Sequence, residues 1–145
     1  GLVDGTFATS FPSQVDLNDA LLDRGRDRFN IFCLPCHGVT GEGNGRIHNR
    51  AMVLLNNGTN GTVWVQPRNL HQADMQTLPP GRIFHTISDG FQTMAGYASQ
   101  ITPADRWAIT AWVYALQIGR NAPADAVPES DSLPVRIRNL DGGGS

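Results

Sequence analysis

Only two of the 145 residues are cysteine, at positions 33 and 36. A framework of several disulfides is therefore excluded. No run approaches the roughly 18 consecutive apolar residues that carry a helix across a bilayer, so membrane attachment is expected to come through another chain. The chain also lacks a charged start followed by an apolar stretch, and it reads as a mature form from which any export signal has been removed. A large excess of either charge is lacking too: 11 Lys and Arg against 13 Asp and Glu give a net charge of −2, with no basic field for nucleic acid. With 40% hydrophobic and 17% charged residues, the composition is that of an ordinary globular protein, and the length suits one domain.

Residues 1–16 mix Gly, Ser, Thr and Pro without helical period and are expected to form an extended arm. The first helix is expected from about Leu17, with Asp16 as its cap. Leu22, Gly25, Phe29 and Phe32 recur at spacings of three and four and share a face leading to Cys33. Glycine costs about 1 kcal/mol against alanine inside a helix, and a close helix crossing would explain Gly25. Residues 38–66 are rich in Gly and Asn. The steps Asn57-Gly58 and Asn60-Gly61, with apolar runs at 51–55 and 62–65, predict an inserted hairpin.

Pro80 to Asp89 reads as a second helix, with Pro in its first turn and Gly90 as its stop. A third begins at Thr102-Pro103-Ala104-Asp105, stops at Gly119, and carries Ala108, Ala111, Trp112, Ala115 and Leu116 on one stripe. From Arg120 the chain holds Pro123, Pro128 and Pro134 and closes on Gly-Gly-Gly-Ser. That tail lacks the apolar content for a core of its own. The expected organisation is an arm at 1–16, a domain at 17–119 and an extended tail at 120–145.

Cys33-Leu34-Pro35-Cys36-His37 has the spacing of a c-type haem attachment. Two thiols on one turn can reach two vinyl groups of one porphyrin, while the adjacent imidazole faces the iron. A thioredoxin-like dithiol would follow a strand in a βαβ setting, whereas a helix precedes this one. Structural zinc takes four ligands, and only three stand together here. The expected cofactor is one covalently bound haem c, held by Cys33 and Cys36 and ligated by His37.

The sixth iron ligand is sought among Met52, Met75, Met94, His48, His71 and His85. Thioether ligation favours the reduced iron and raises the potential. Met94 lies in a Gly-bounded loop, Gly90 to Tyr97, between the second and last helices, and is the expected metal ligand; Met75 is next. The remaining histidines, like Trp64, Trp107 and Tyr114, read as packing or hydrogen-bonding residues. No catalytic site of its own is expected, only electron transfer.

From Arg24 to Leu116 the chain resembles class I cytochromes c. The resemblance rests on Gly25-x-x-x-Phe29-x-x-x-Cys33, Cys33-x-x-Cys36-His37-Gly38, Gly41-x-Gly43-x-Gly45, Pro67-Arg68-Asn69-Leu70, Gly90-x-x-x-Met94-x-x-Tyr97 and Trp112 in the last helix. It implies an all-α fold with three main helices around one haem, here with an inserted Gly/Asn-rich hairpin loop and extended arms. It also implies a haem pocket of Phe29, Pro67, Leu70, Tyr97 and Trp112, in which Gly25 and Phe29 cross Trp112. Two positions depart from the family. Arg46-Ile47 stands where a proline is common, which leaves open the carbonyl that accepts the His37 Nδ1 proton, and Met94-Ala95 replaces Met-Pro.

The runs Arg24 to Cys33 and Pro103 to Ile109 are similar to the mono-haem cytochrome subunit of bacterial alternative complex III, a membrane assembly that oxidises quinol. This similarity implies an electron-transfer subunit on the periplasmic face of a bacterial membrane. It would be attached through partner subunits, other haem proteins among them, and would pass electrons to a soluble or membrane acceptor. The competing expectations are a freely diffusing periplasmic shuttle, and a haem enzyme or gas sensor with an open sixth site, against which Met94 argues.

Overall fold

The computed structural model describes residues 1–58 and 63–123. The expected tail beyond residue 123 lies outside them, as do residues 59–62 of the insert. Among the described residues ten short and long elements follow in order: β1 (Leu2–Val3), β2 (Thr6–Phe7), α1 (Asp19–Phe32), α2 (Leu34–His37), α3 (Arg46–Asn56), α4 (Ala73–Gln76), α5 (Pro80–Asp89), β3 (Gly90–Phe91), β4 (Met94–Ala95) and α6 (Pro103–Asn121). The three expected helices are α1, α5 and α6, and the architecture is the all-α one that the sequence implied.

The central contact is the crossing of α1 and α6. Gly25 and Phe29 are buried on α1, and Ala108, Ile109 and Ala111 on α6. A Cβ on Gly25 would overlap the Ala108 carbonyl and stand 3.0 Å from the Trp112 Cβ, so only glycine lets the two backbones approach this closely. Charge follows the same seam. Asp105 at the start of α6 is paired with Arg24 and lies 3.8 Å from the Nε of Arg28, both on α1. The core continues from Phe29 through Leu70, Ile83, Ile87, Ile101, Ile109 and Val113.

Helix α1 starts two residues later than expected. Asn18, not Asp16, is its cap, accepting the Leu21 N–H at 2.9 Å. Asn and Asp cap about equally well; Leu17 is 61% exposed, so a longer helix would gain no burial there. Helices α5 and α6 start where the prolines predict, and Thr102 caps α6 by accepting the Asp105 N–H at 3.2 Å. The expected stop at Gly119 is passed: α6 continues to Asn121. The last residues are held by Arg120 on Glu42 at 2.6 Å and Asn121 on Gln76 at 3.0 Å.

The inserted hairpin is a correction. Residues 51–55, expected as a strand, belong to α3. Ile47, Ala51 and Leu54 recur at helical spacing, and Ala51 is buried while Leu54 is half-buried. One tertiary contact face therefore outweighs the strand preference of a short run around Val53. Residues 63–69 form no regular element.

The N-terminal arm is likewise not simply extended. Leu2–Val3 and Thr6–Phe7 pair antiparallel around Asp4 and Gly5, which adopt φ of 49° and 78°. That hairpin lies on its own domain. Ala8 accepts the Gly81 N–H at 2.9 Å, the Phe7 ring sits 5.4 Å from His85, and Phe11 sits 5.6 Å from Trp107 and 6.0 Å from Tyr114.

Tyr114 fastens α6 to the loop before α5 by donating its hydroxyl to the Leu78 carbonyl at 2.6 Å. Tyr114→Phe should cost about 1 kcal/mol, the net worth of one neutral hydrogen bond plus the desolvated carbonyl left behind. Urea denaturation of the haem-loaded protein measures it; a loss below about 0.3 kcal/mol would mean that water replaces the phenol.

Candidate functional site

Helix α1 runs directly into the Cys33–His37 turn. Cys33 N–H donates to Phe29 O at 2.8 Å, His37 N–H to Cys33 O at 2.8 Å, and Gly38 N–H to Leu34 O at 2.8 Å. Pro35 fits because it occupies the first turn of α2, where its missing N–H is not needed. The Gly-rich segment then folds back over this turn. Gly43 N–H donates to His37 O at 2.8 Å, Gly45 N–H to Cys36 O at 3.1 Å, and Leu70 N–H to Gly41 O at 2.8 Å. Gly43 has φ of 79°, and a Cβ there would overlap the Pro67 carbonyl. The segment 67–70 is thereby laid beside the His37 turn.

Burial, with a smaller push from Cys36, raises Cys33 to about 12; burial also raises Cys36. A disulfide oxidoreductase needs the opposite, a thiolate stabilised near neutral pH, so the dithiol reading fails on electrostatics as well as on fold. Structural zinc fares no better: among the described residues no cluster of three or more His, Cys, Asp and Glu side chains could hold a metal ion.

Burial lowers the pKa of His37, while the Arg68 backbone acts in the other direction. The ring is thus neutral at pH 7, as ligation of a metal requires. Its Nδ1 is buried without an acceptor in hydrogen-bonding geometry, as is the Trp112 Nε1. Two cysteines on one turn, an imidazole beside them and an apolar surround are the donor set that a c-type haem takes.

The expected pocket residues converge on this turn. Phe29 and Leu70 are in the core cluster, with Cys33, Phe32, Tyr97 and Trp112 packed against it. The Tyr97 phenol is raised by burial first and then by Cys36 and Cys33, which places it beside the thiols, and its ring meets Phe32 at 6.3 Å. Pro67 lies against Gly43.

The methionines part company. Met52 is exposed on α3, and Met75 packs against the core. Met94 is half-buried on the β3–β4 hairpin, paired with Phe91. That hairpin returns to α5 through Tyr97 N–H on Ile87 O at 2.8 Å. The other histidines are engaged elsewhere. His48 accepts the Trp64 indole N–H at 3.0 Å, His71 Nε2 donates to Thr40 O at 2.6 Å, and His85 lies 2.8 Å from Asp89. Arg68 pairs with Asp74, and Arg82 lies over the Phe7 and Phe91 rings at 4.9 and 4.8 Å.

Sequence reasoning put Phe32 on the helix face but not in the pocket, and it left open which carbonyl faces His37. Phe32 was legible as a neighbour of Cys33 on the same helix face. Nothing local links Arg68 to His37, 31 positions earlier; the close passage at Gly43 makes that link.

A model of the family described as cytochrome c oxidase, cbb3-type, subunit III matches residues 20–113. The chain belongs to this family of c-type cytochromes. It carries a covalently bound c-type haem and serves haem-based electron transfer. No curated protein matches the cytochrome in sequence. Among solved structures it is similar in fold to a chain of the Kuenenia stuttgartiensis reducing HAO-like protein complex, at 17% identity and a TM-score of 0.54. The match covers 70% of the cytochrome and 46% of that chain, so the cytochrome spans under half of its neighbour's length.

Proposed function

We propose that this cytochrome is a mono-haem electron-transfer subunit of a membrane quinol-oxidising complex of the alternative complex III type, working on the periplasmic face. The haem supplies an iron that accepts and releases one electron at a time. Cys33 and Cys36 would hold it through thioethers, and His37 and Met94 would ligate its iron. The Arg68 backbone faces the His37 ring, and its carbonyl would take the Nδ1 proton once the two align, which would fix tautomer and ring plane. Phe29, Pro67, Leu70, Tyr97 and Trp112 line the pocket and exclude water. The observation that carries the electron-transfer role is the turn itself: Cys33 and Cys36 on one helical turn with the half-buried His37 imidazole next to them, and Gly43 and Gly45 folded back onto its carbonyls.

Membership of an assembly is supported by the surface. Large exposed apolar residues gather in the insert, among them Val39, Ile47, Val53, Val63 and Val65. No Asp or Glu occurs from Gly43 to Ala73. Apolar surface of this kind is characteristic of faces that another protein covers, whereas a diffusing carrier works through a small, weak contact. The solved neighbour, too, is part of a complex. The N-terminal arm adds nothing to this reading, because its aromatic residues pack on α5 and α6 of the same chain.

The decisive experiment is size exclusion of native membranes solubilised in mild detergent, followed by haem absorbance. Co-elution of this chain with a much larger multi-haem assembly is expected. Elution as a lone small cytochrome would establish the diffusing shuttle instead.

A further inference from the structure

Arg106 is 9% exposed on α6, and a guanidinium is costly to bury unless it is paired. Its neighbour in sequence, Asp105, is engaged by Arg24 and Arg28 of α1. Arg106 instead donates from Nη1 to the Ser88 hydroxyl, its guanidinium lies 4.8 Å from the Phe84 ring centroid, and its Nε meets no acceptor.

Ser88 is the base of the Met94 hairpin. Its hydroxyl donates onward to Phe84 O at 2.8 Å, and its carbonyl accepts the Ala98 N–H at 3.2 Å. Next to it, Ile87 O accepts the Tyr97 N–H at 2.8 Å. The chain therefore leaves α5 and comes back to it at one point. The returning segment lies close: a Cβ on Gly96 would stand 2.5 Å from the Ser88 oxygen. Met94 is two residues before that glycine.

We propose that Arg106 is a positioning residue for Met94. By holding Ser88, its guanidinium fixes the point at which the hairpin closes, and so limits how often the Met94 sulfur would leave the iron. The inference rests on Met94 being the axial ligand. A role confined to packing α5 on α6 would lower global stability and leave ligation unchanged.

Exogenous imidazole competes with Met94 for the ferric iron, and its apparent affinity scales with the fraction of molecules in which the sulfur is detached. In the haem-loaded protein, Arg106→Gln should raise that affinity about ten-fold or more, the factor carried by one charged hydrogen bond. The titration is run well below the unfolding temperature read from helical circular dichroism. Ser88→Ala, which removes the hydroxyl and keeps the carbonyl, should shift the affinity the same way, and Arg106→Lys should restore part of it.

Met94→Ala is the reference. If it tightens imidazole binding while R106Q and S88A bind as the wild type does, the positioning role is overturned and packing alone remains. If M94A itself binds imidazole like the wild type, the Met94 assignment falls and takes the proposal with it. Should R106Q not fold, S88A decides the matter by the same criterion.

Discussion

Met94→Ala should abolish the weak far-red band of the ferric haem and lower the midpoint potential by at least about 0.1 V, within the roughly 0.8 V that axial ligation spans. The expectation follows from how the three methionines are used. Met75 packs against the core and Met52 is exposed on α3, whereas Met94 sits half-buried on a hairpin closed onto the end of α5. Thioether sulfur is a weak donor that favours the reduced iron, so its loss stabilises the oxidised form and lowers the potential. The variant should also bind small exogenous ligands that the wild type excludes. Met75→Ala is the control: it removes a side chain that packs on the core, and it should reduce stability while leaving spectrum and potential alone. An unchanged far-red band in M94A, or its loss in M75A, would reassign the ligand.

Gly25→Ala should destabilise the haem-loaded protein by about 2 kcal/mol or more, and Gly25→Val should prevent recovery of folded material at growth temperature. On a free helix the first change would gain about 1 kcal/mol, because alanine is the better helix former. Here the added Cβ overlaps the Ala108 carbonyl, which is backbone and cannot rotate away. Moving α1 off α6 would loosen Phe29 from its 1% exposed position and disturb the Arg24–Asp105 pair on the same seam. Because α1 leads straight into Cys33, any shift also displaces the attachment turn. Equal or greater stability of G25A in urea would show that the crossing is not tight. Gly119→Ala provides the contrast, since a Cβ there meets nothing within 4 Å.

The same glycine marks how far local information reaches. An apolar helix face interrupted by Gly25 already predicted a close crossing, and two cysteines separated by two residues with His37 next to them already predicted the haem. Those inferences succeed because their physics is local: residue spacing along one helix, and three donors within five positions. The starts of α5 and α6 were legible for the same reason, in Pro80 and in the Thr102–Asp105 cap.

Other features depended on contacts distant in sequence. The run 51–55 looks like a strand in isolation, yet it lies in α3, with Ala51 buried. The arm at 1–16 reads as extended, yet it forms a hairpin, Ala8 beside it accepts the Gly81 N–H, and its phenylalanines find α5 and α6. The backbone that faces His37 comes from Arg68, brought there because Gly43 lets the Pro67 carbonyl pass close.

By itself, then, the sequence determined the cofactor chemistry at Cys33, Cys36 and His37, because two thiols and an imidazole at that spacing form a site on any helical turn. Tertiary structure alone decided that residues 51–55 join a helix, which backbone faces His37, and which buried cation stands behind the Met94 hairpin, because each depends on surfaces that meet only after the chain has folded.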